Sequence, residues 1–324
     1  MAEQVRQSLI VRAPKGEEDG TAVCVNLSYG AALFVFDINS MSIASIDNFK
    51  IAPEILKAKK FIKINYCVSG RCELQLRSGN YIYLSSGEIA VDTGQARNDL
   101  PTFYYPTGQY DGVELVVVPG KKWNSRVLMD GSEMSAADRL YDICSSFEQP
   151  GIIPAGSKVA EDFRLLMRDG LESSKEVIML DVVRILELLA GTSLEQERSL
   201  KFYTKSQVDI AKKVKEIITS DLSKRHSAAE LAKMLGVSET SLKNYFRGVY
   251  DCGYKEYQNK LRMEYAAKKL RDTDEPVGDI CEVCGFVSQS KFGKAFKEFY
   301  GVTPLEYRRR TKLESLPGKG GNEV

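Results

Sequence analysis

Two stretches of the chain share one pattern: AAELAKMLGVSETSLKNYFRGVY at residues 228–250 and VGDICEVCGFVSQSKFGKAFKEFYG at residues 277–301. Each begins as a short apolar helix, continues through a glycine (Gly236 or Gly285) and a serine, and ends as a basic amphipathic helix. This order is typical of a helix-turn-helix motif, and two such motifs in tandem fit two neighbouring major grooves of one DNA duplex. The pattern predicts an all-α C-terminal domain with two helix-turn-helix motifs that binds double-stranded DNA.

Local signals in the first unit predict where its helices begin and which side they bury. Ser227 with Glu230 three residues later forms a capping box, and Ser238 is placed to cap the following helix. Leu242 and Phe246 are four residues apart and should face the core together.

The opposite faces of the two basic helices carry amide, hydroxyl and charged groups. In the second unit Phe292 and Phe296 should point inward. The side chains expected to point outward are Glu239, Thr240, Lys243, Asn244 and Arg247 in the first unit, and Gln289, Lys291, Lys294 and Lys297 in the second. Groups of these types are what readout in the major groove requires.

Residues 256–273 lie between the two units and have the apolar spacing of one long helix. Corresponding positions of the two basic helices are about 50 residues apart, and a rigid connecting helix could hold them about 34 Å apart, one turn of B-DNA.

Charge is divided unevenly along the 324 residues, although the formal net charge is only +1. Residues 201–324 carry 24 Lys and Arg against 17 Asp and Glu, whereas residues 1–200 carry 21 against 27. A basic C-terminal part on an acidic N-terminal part is expected when only the former meets phosphates.

The N-terminal part predicts a β-domain. Short runs rich in Val, Ile and Tyr extend over residues 22–118 and are separated by turn residues, which favours a cupin-like β-barrel and an α+β fold for the whole chain. Such a barrel could hold a small effector. The candidate effector-binding side chains are Tyr66, Arg71, Glu73, Tyr81 and Tyr83. For any single one of them, an ordinary residue on a strand face is the favoured alternative.

The chain contains one histidine, His226, and it lies in the C-terminal part. Catalytic cupins usually need two or three histidines around a metal, so we expect no catalytic residue, no metal and no cofactor. A cupin-type enzyme fused to a DNA-binding module is the less favoured alternative, and a ligand-independent dimeric DNA-binding protein is another.

Two apolar helices at residues 158–173 and 176–190 either pack on the barrel or join two protomers as a homodimer. No apolar run approaches the length of a membrane span and the N-terminus lacks the apolar core of a secretory signal, so we expect a cytoplasmic protein. The expected domains are a cupin-like effector-binding domain (1–157), a helical dimerisation segment (158–190), a linker (191–206), the tandem helix-turn-helix domain (207–312) and a flexible tail (313–324).

Residues 207–310 resemble the AraC/XylS family of transcription regulators. The matching motif reads Leu231, Ala232, Gly236, Val237, Ser238, Leu242, Phe246, Arg247, Tyr257, Arg262, Ala266, Leu270, Val277, Ile280, Gly285, Phe286, Phe292, Phe296, Lys297, Gly301, Thr303, Pro304, Tyr307 and Arg308. The resemblance implies an activator whose N-terminal part is a cupin-like effector-binding and dimerisation domain. The charge asymmetry and the polar linker motivate a further expectation, that effector binding changes how the DNA-binding units are presented to DNA and favours contact with RNA polymerase.

The resemblance also implies which residues meet DNA. Base contacts would come from Thr240, Lys243, Asn244, Gln289, Lys291 and Lys294. Apart from the resemblance, we expect backbone contacts from Ser238, Arg247, Ser288, Lys297 and Arg308, and the alternative for the basic run that begins at Arg308 is a solvated helix end.

The chain departs from the family at two positions. Asp251 replaces a common glycine after the first basic helix, and Asp should tolerate left-handed geometry there. Cys281 creates a C-x-x-C with Cys284, which we interpret as packing rather than a metal or redox site. Cys67 and Cys72 likewise are expected to be inert thiols rather than a redox pair.

Overall fold

The computed structural model describes most of the chain and divides it into two compact units, residues 1–205 and 206–324. The described residues are 6–12, 18–27, 30–38, 42–43, 52–76, 78–93, 103–120, 134–147, 150–153, 157–192 and 201–314. Most of the expected linker (193–200) and most of the expected tail (315–324) lie outside them.

The N-terminal unit contains an antiparallel sheet and four helices among its described residues. The strands are β1 (Arg6–Arg12), β2 (Glu18–Leu27), β3 (Ala31–Ile38), β4 (Ser42–Ile43), β5 (Ile62–Gln75), β6 (Tyr81–Ser85), β7 (Ile89–Asp92), β8 (Phe103–Tyr104), β9 (Tyr110–Val117) and β10 (Gly151–Ile153). The helices are α1 (Pro53–Leu56), α2 (Ala136–Ser145), α3 (Lys158–Glu172) and α4 (Lys175–Gly191).

The sheet is open among the described residues. Its main path runs β1-β2-β3-β9-β5-β7-β10, and β6 and β8 pair separately with the far half of the long strand β5. The predicted antiparallel sheet domain is therefore present, whereas the predicted closure into a cupin-like barrel is not confirmed.

Two hydrophobic clusters lie on opposite faces of this sheet because alternate strand residues point to opposite sides. The first cluster joins the sheet to α2, α3 and α4 through residues such as Ile64, Tyr66, Phe163 and Val182. The second is made by strand residues and neighbouring loops, among them Phe34 and Cys72. Within residues 158–190, α3 thus packs on the sheet of its own chain, and α4 packs on α2 and α3.

The C-terminal unit is entirely helical among its described residues. Its helices are α5 (Lys205–Ser220), α6 (Ala228–Leu235), α7 (Glu239–Tyr250), α8 (Tyr254–Asp272), α9 (Val277–Val283), α10 (Gln289–Tyr300) and α11 (Pro304–Glu314). Helices α6 and α7 form one pair, α9 and α10 form a second, and α8 connects them as predicted. The basic run RRRTK at 308–312 belongs to α11, which begins at Pro304 after the turn at Gly301.

Side-chain caps fix the first helix pair. Ser227 Oγ accepts a hydrogen bond from the Glu230 amide at 3.1 Å, and the Glu230 carboxylate accepts one from the Ser227 amide at 2.8 Å. The predicted capping box is confirmed, and these bonds hold the pKa of Glu230 below its usual value. At the end of α7, Asp251 adopts the left-handed conformation with φ of 61°, so the turn is kept without glycine.

No helix in the described part of the chain is long and apolar enough to cross a membrane.

Candidate nucleic-acid interface

Helix α7 is anchored by one apolar side and presents its other side to solvent. Leu242 and Phe246 are fully buried, as predicted, and the Phe246 ring lies 4.5 Å from the Tyr250 ring and 5.6 Å from that of Tyr257 on α8. Ser238 Oγ caps the helix by accepting from the Ser241 amide at 3.1 Å. The polar face of α7 is thereby fixed in orientation.

Helix α10 is held in the same way. Phe292 and Phe296 are buried, again as predicted, and Phe296 packs against Tyr300 at 4.8 Å and Tyr307 on α11 at 5.4 Å. Ser288 Oγ accepts from the amide of Lys291 at 3.4 Å.

All six side chains expected to read bases are exposed on these two helices. They are Thr240, Lys243, Asn244, Gln289, Lys291 and Lys294. Lys243 lies 3.3 Å from Glu239, and Lys294 lies 4.0 Å from Glu298, but both are exposed pairs of the kind that contribute little and exchange readily. Both lysines are therefore available to a phosphate or a base.

The residues expected to contact the DNA backbone fall into two groups. Ser238, Ser288, Arg247 and Lys297 are exposed at or near the ends of α7 and α10. Arg308 is half-buried, and its Nη2 donates to the carbonyl of Glu275, so its guanidinium secures α11 to the segment before α9. For Arg308 the structure thus indicates a packing role that the sequence did not predict.

A groove of about 610 Å³ lies beside the polar face of α7. It is lined by Ser227, Ala228, Ala229, Glu239, Lys243, Asn244, Arg247, Gly253, Tyr254 and Lys255. The starts of α6 and α8 thus border the same groove as the predicted base-reading residues. Tyr254 and Lys255 were not predicted, because the sequence does not show that the chain turns after α7 so that the start of α8 borders the polar face of α7.

Two polar side chains on α8 fasten the loop between α5 and α6. Gln258 Nε2 donates to the carbonyls of Ile218 and Lys224, both at 2.9 Å. Arg262 is 1% exposed and donates from Nε to the carbonyl of Leu222 at 2.7 Å and from Nη2 to that of Lys224 at 2.9 Å. Burial lowers the pKa of this guanidinium, but the two carbonyls compensate its lost hydration.

The same loop reaches the turn of the second helix pair. Gly285 has φ of +70°, and a Cβ at this position would lie 2.4 Å from the Ser223 carbonyl oxygen. Arg225 places its guanidinium 5.6 Å from the Phe286 ring centroid. Helix α8 and this loop together fix the second helix pair relative to the first.

The cysteines are thiols without disulfide partners in the described residues. Cys281 and Cys284 are buried, and their thiols donate to the carbonyls of Phe286 and Arg262 at 3.6 and 3.3 Å. Burial raises the pKa of Cys284 to about 12, and it also raises the pKa of Cys67. These thiols are far from the thiolate form that metal binding or redox chemistry requires, which supports the packing interpretation.

In the N-terminal unit, the five candidate effector residues do not line one interior pocket. Tyr66 packs against Phe163 of α3 with ring centroids 5.5 Å apart. Arg71, Glu73 and Tyr83 lie together on a different part of the sheet, where Tyr83 donates to Glu73 Oε2 at 2.6 Å. The guanidinium of Arg71 lies 5.2 Å from the Tyr83 ring centroid.

A bulge in β5 explains this arrangement. Its register with β9 shifts between Cys67 and Ser69, so odd-numbered residues face the second cluster before the bulge and even-numbered residues face it afterwards. Cys67 and Cys72 therefore point into the same cluster, and Arg71 and Glu73 point away from it.

A buried polar group lies on the same face of the sheet as the second cluster, and it was not predicted from the sequence. Glu114 is 1% exposed, its Oε1 lies 3.0 Å from Lys63 Nζ, and its Oε2 has no hydrogen-bond partner among the described residues. On the neighbouring strand Asn65 Oδ1 accepts from the Tyr110 hydroxyl at 2.8 Å. The sequence signal that could have identified this group is a carboxylate inside the apolar run GVELVVV.

Comparison with known proteins identifies the type of domain that the C-terminal unit forms. Residues 231–310 match the helix-turn-helix domain family. The HTH-type transcriptional regulator GbdR of Pseudomonas aeruginosa is 31% identical over 104 residues, which are 31% of this chain and 28% of GbdR. The porin thermoregulatory protein EnvY of Escherichia coli is 28% identical over 168 residues, 50% of this chain and 65% of EnvY. A DNA-binding transcriptional dual regulator from Escherichia coli K-12, known by crystal structure, is 25% identical and covers 32% of this chain and 93% of its own, with a TM-score of 0.30.

The C-terminal unit is thus a helix-turn-helix domain of a kind found in transcription regulators. It belongs to the AraC type, which confirms the family resemblance found in the sequence. The chain spans less than two thirds of the length of GbdR and of EnvY.

Proposed function

We propose that this chain is a transcription regulator that binds double-stranded DNA and reads two adjacent major grooves per protomer. The observation that carries the proposal is the pair of exposed polar faces on α7 and α10, each backed by buried phenylalanines. Each pair, α6–α7 and α9–α10, would act as a helix-turn-helix motif with its second helix in the groove. The contacts of Gln258 and Arg262 on α8 would keep the two motifs in one register.

Specificity and affinity should depend on different residues of these faces. We expect Asn244→Ala and Gln289→Ala each to reduce the preference for the best DNA sequence about 5- to 150-fold, since a lost base contact costs about 1–3 kcal/mol. Lys297→Ala should instead weaken binding evenly across sequences and reduce the slope of log K against log salt by about 1. Salt titrations on a duplex selected by the unaltered chain from a random pool, and on a scrambled duplex, measure both effects.

The matched control is Lys268→Ala, because Lys268 is an exposed lysine on the connecting helix α8, away from both polar faces. It should leave specificity unchanged. Asn244→Ala and Lys297→Ala should differ in their effects on affinity for the two duplexes and on the salt slope. If both variants had the same effects, the assignment of residues to bases and to backbone would be wrong.

We also propose that the N-terminal unit is a cupin-like domain that binds a small effector. The buried group formed by Glu114, Lys63 and Asn65 supports this, since a carboxylate oxygen without a partner in an apolar interior favours a ligand that donates a hydrogen bond. The residues Tyr66, Arg71, Glu73, Tyr81 and Tyr83 are a second candidate location for the effector.

A homodimer completes the proposal. Helix α4 packs against α2 and α3 and leaves Val177 and Leu180 exposed, Leu180 at 71%. Exposed apolar side chains on a packed helix fit the face of a second copy of this chain. As an activator, the dimer would present its DNA-binding units beside RNA polymerase.

Footprinting tests the effector and the dimer together. We expect a protected region that holds two copies of the site read by one protomer, and a pattern or transcript level that changes when a metabolite panel is added. A footprint of one copy would contradict the dimer. A footprint and a transcript level unchanged by every metabolite, with unchanged thermal stability, would favour a ligand-independent DNA-binding protein.

A further inference from the structure

We infer that Tyr203 is a latch that fastens the segment before the C-terminal unit to the edge of the N-terminal sheet, and that its release changes DNA binding. The second half of this inference rests on the proposed function. The first half concerns residues of the N-terminal unit alone.

The latch begins as an added strand residue. The amide of Tyr203 donates to the carbonyl of Tyr81 at 2.9 Å, and the amide of Tyr81 donates to the carbonyl of Tyr203 at 2.8 Å. Strand β6 pairs with β5 on its other side, so Tyr203 occupies its open edge. An edge strand offers unpaired backbone groups that an extended segment can complete.

The side chain of Tyr203 also has a defined partner. Its ring meets the Tyr83 ring edge to face, with centroids 5.7 Å apart. Tyr83 is in turn held by its hydrogen bond to Glu73 and by the guanidinium of Arg71 on its ring. Edge-to-face aromatic pairs are directional, so this platform selects one placement of Tyr203.

The latch occupies the place where the sequence predicted an effector to bind. Four of the five candidates are Arg71, Glu73, Tyr81 and Tyr83. Tyr81 and Tyr83 contact Tyr203, and Arg71 and Glu73 contact Tyr83. A ligand that stacked on Tyr83 or bound Arg71 would compete with the Tyr203 ring. A ligand that binds the open state better than the closed state would shift the latch between closed and open populations.

The position of Tyr203 in the chain explains why release of the latch would affect the C-terminal unit. Only Thr204 separates Tyr203 from Lys205, the first residue of α5. When residue 203 is bound to the sheet, the start of the C-terminal unit is tethered within one residue of it. When the latch is open, this attachment is lost, and a longer tether allows more orientations.

Hydrogen exchange on the full chain tests the latch directly. Tyr203→Pro removes the amide donor and the ring, and we expect the Tyr81 amide to exchange about tenfold faster, as befits the loss of one or two backbone hydrogen bonds. Tyr203→Ala keeps the backbone bonds and should give a smaller increase. The control is Phe202→Ala, which removes the adjacent exposed aromatic ring and should leave the exchange of Tyr81 unchanged.

DNA binding tests the consequence of release. On the selected duplex, we expect Tyr203→Pro to change the dissociation constant at least about threefold relative to Phe202→Ala, because the tether is lengthened. Fast exchange of Tyr81 in the unaltered chain would overturn the latch, and an unchanged dissociation constant despite faster exchange would overturn its regulatory role. Failure of the unaltered chain to bind any duplex would instead contradict the proposed function, while the exchange measurement would still report on the latch.

Discussion

Gly285→Ala is expected to lower the free energy of unfolding of the C-terminal unit by about 3 kcal/mol. Two costs combine at this position. The backbone has φ of +70°, a conformation that costs a residue with a Cβ about 1–2 kcal/mol. The new Cβ would also lie 2.4 Å from the carbonyl oxygen of Ser223, which is a backbone atom and can move away only if the loop between α5 and α6 moves.

Gly236→Ala separates these two costs because Gly236 is the equivalent turn residue of the first helix pair. Its φ is +68°, but nothing lies within 4 Å of a Cβ placed there. It should therefore cost only the conformational part, about 1 kcal/mol. Denaturant unfolding of both variants, followed by a probe in the C-terminal unit, gives the difference. Equal losses for the two variants would show that the approach to Ser223 is not tight in solution.

These two glycines also show what the sequence could and could not predict. Helix starts, turns and buried faces depend on residues a few positions apart, so Ser227 with Glu230, and Leu242 with Phe246, were predicted correctly. The contact that distinguishes Gly285 from Gly236 joins segments more than sixty residues apart along the sequence. The pattern of one turn could not contain it.

The five candidate effector-binding residues of the N-terminal unit do not line one pocket, and the reason is related. Choosing inward side chains by alternation requires an unbroken strand register, and the bulge in β5 changes the parity of the inward positions between Cys67 and Ser69. The sequence signals a turn at Gly70 but not an inserted residue. Glu114 was detectable in principle, because a carboxylate within an apolar strand run is rarely tolerated without a purpose.

Arg262→Ala is the second change for which a large loss is expected, about 3 kcal/mol in the free energy of unfolding. The substitution removes charged hydrogen bonds to the carbonyls of Leu222 and Lys224, each bond of this kind contributing about 1.5–3 kcal/mol. Gln258 still donates to the Lys224 carbonyl, whereas no other donor to the Leu222 carbonyl is known among the described residues. The midpoint of thermal unfolding should fall by about 10–15 °C.

Two controls separate the hydrogen bonds of Arg262 from its charge. Arg262→Lys keeps the charge but cannot place a planar pair of donors on two carbonyls, so it should recover less than half of the loss. Lys268→Ala, on the exposed side of the same helix, should change the midpoint by less than about 2 °C because exposed substitutions rarely exceed 0.5 kcal/mol. If the lysine variant were as stable as the unaltered chain, charge alone would hold the loop. The bidentate geometry would then not be what joins α8 to the first helix pair.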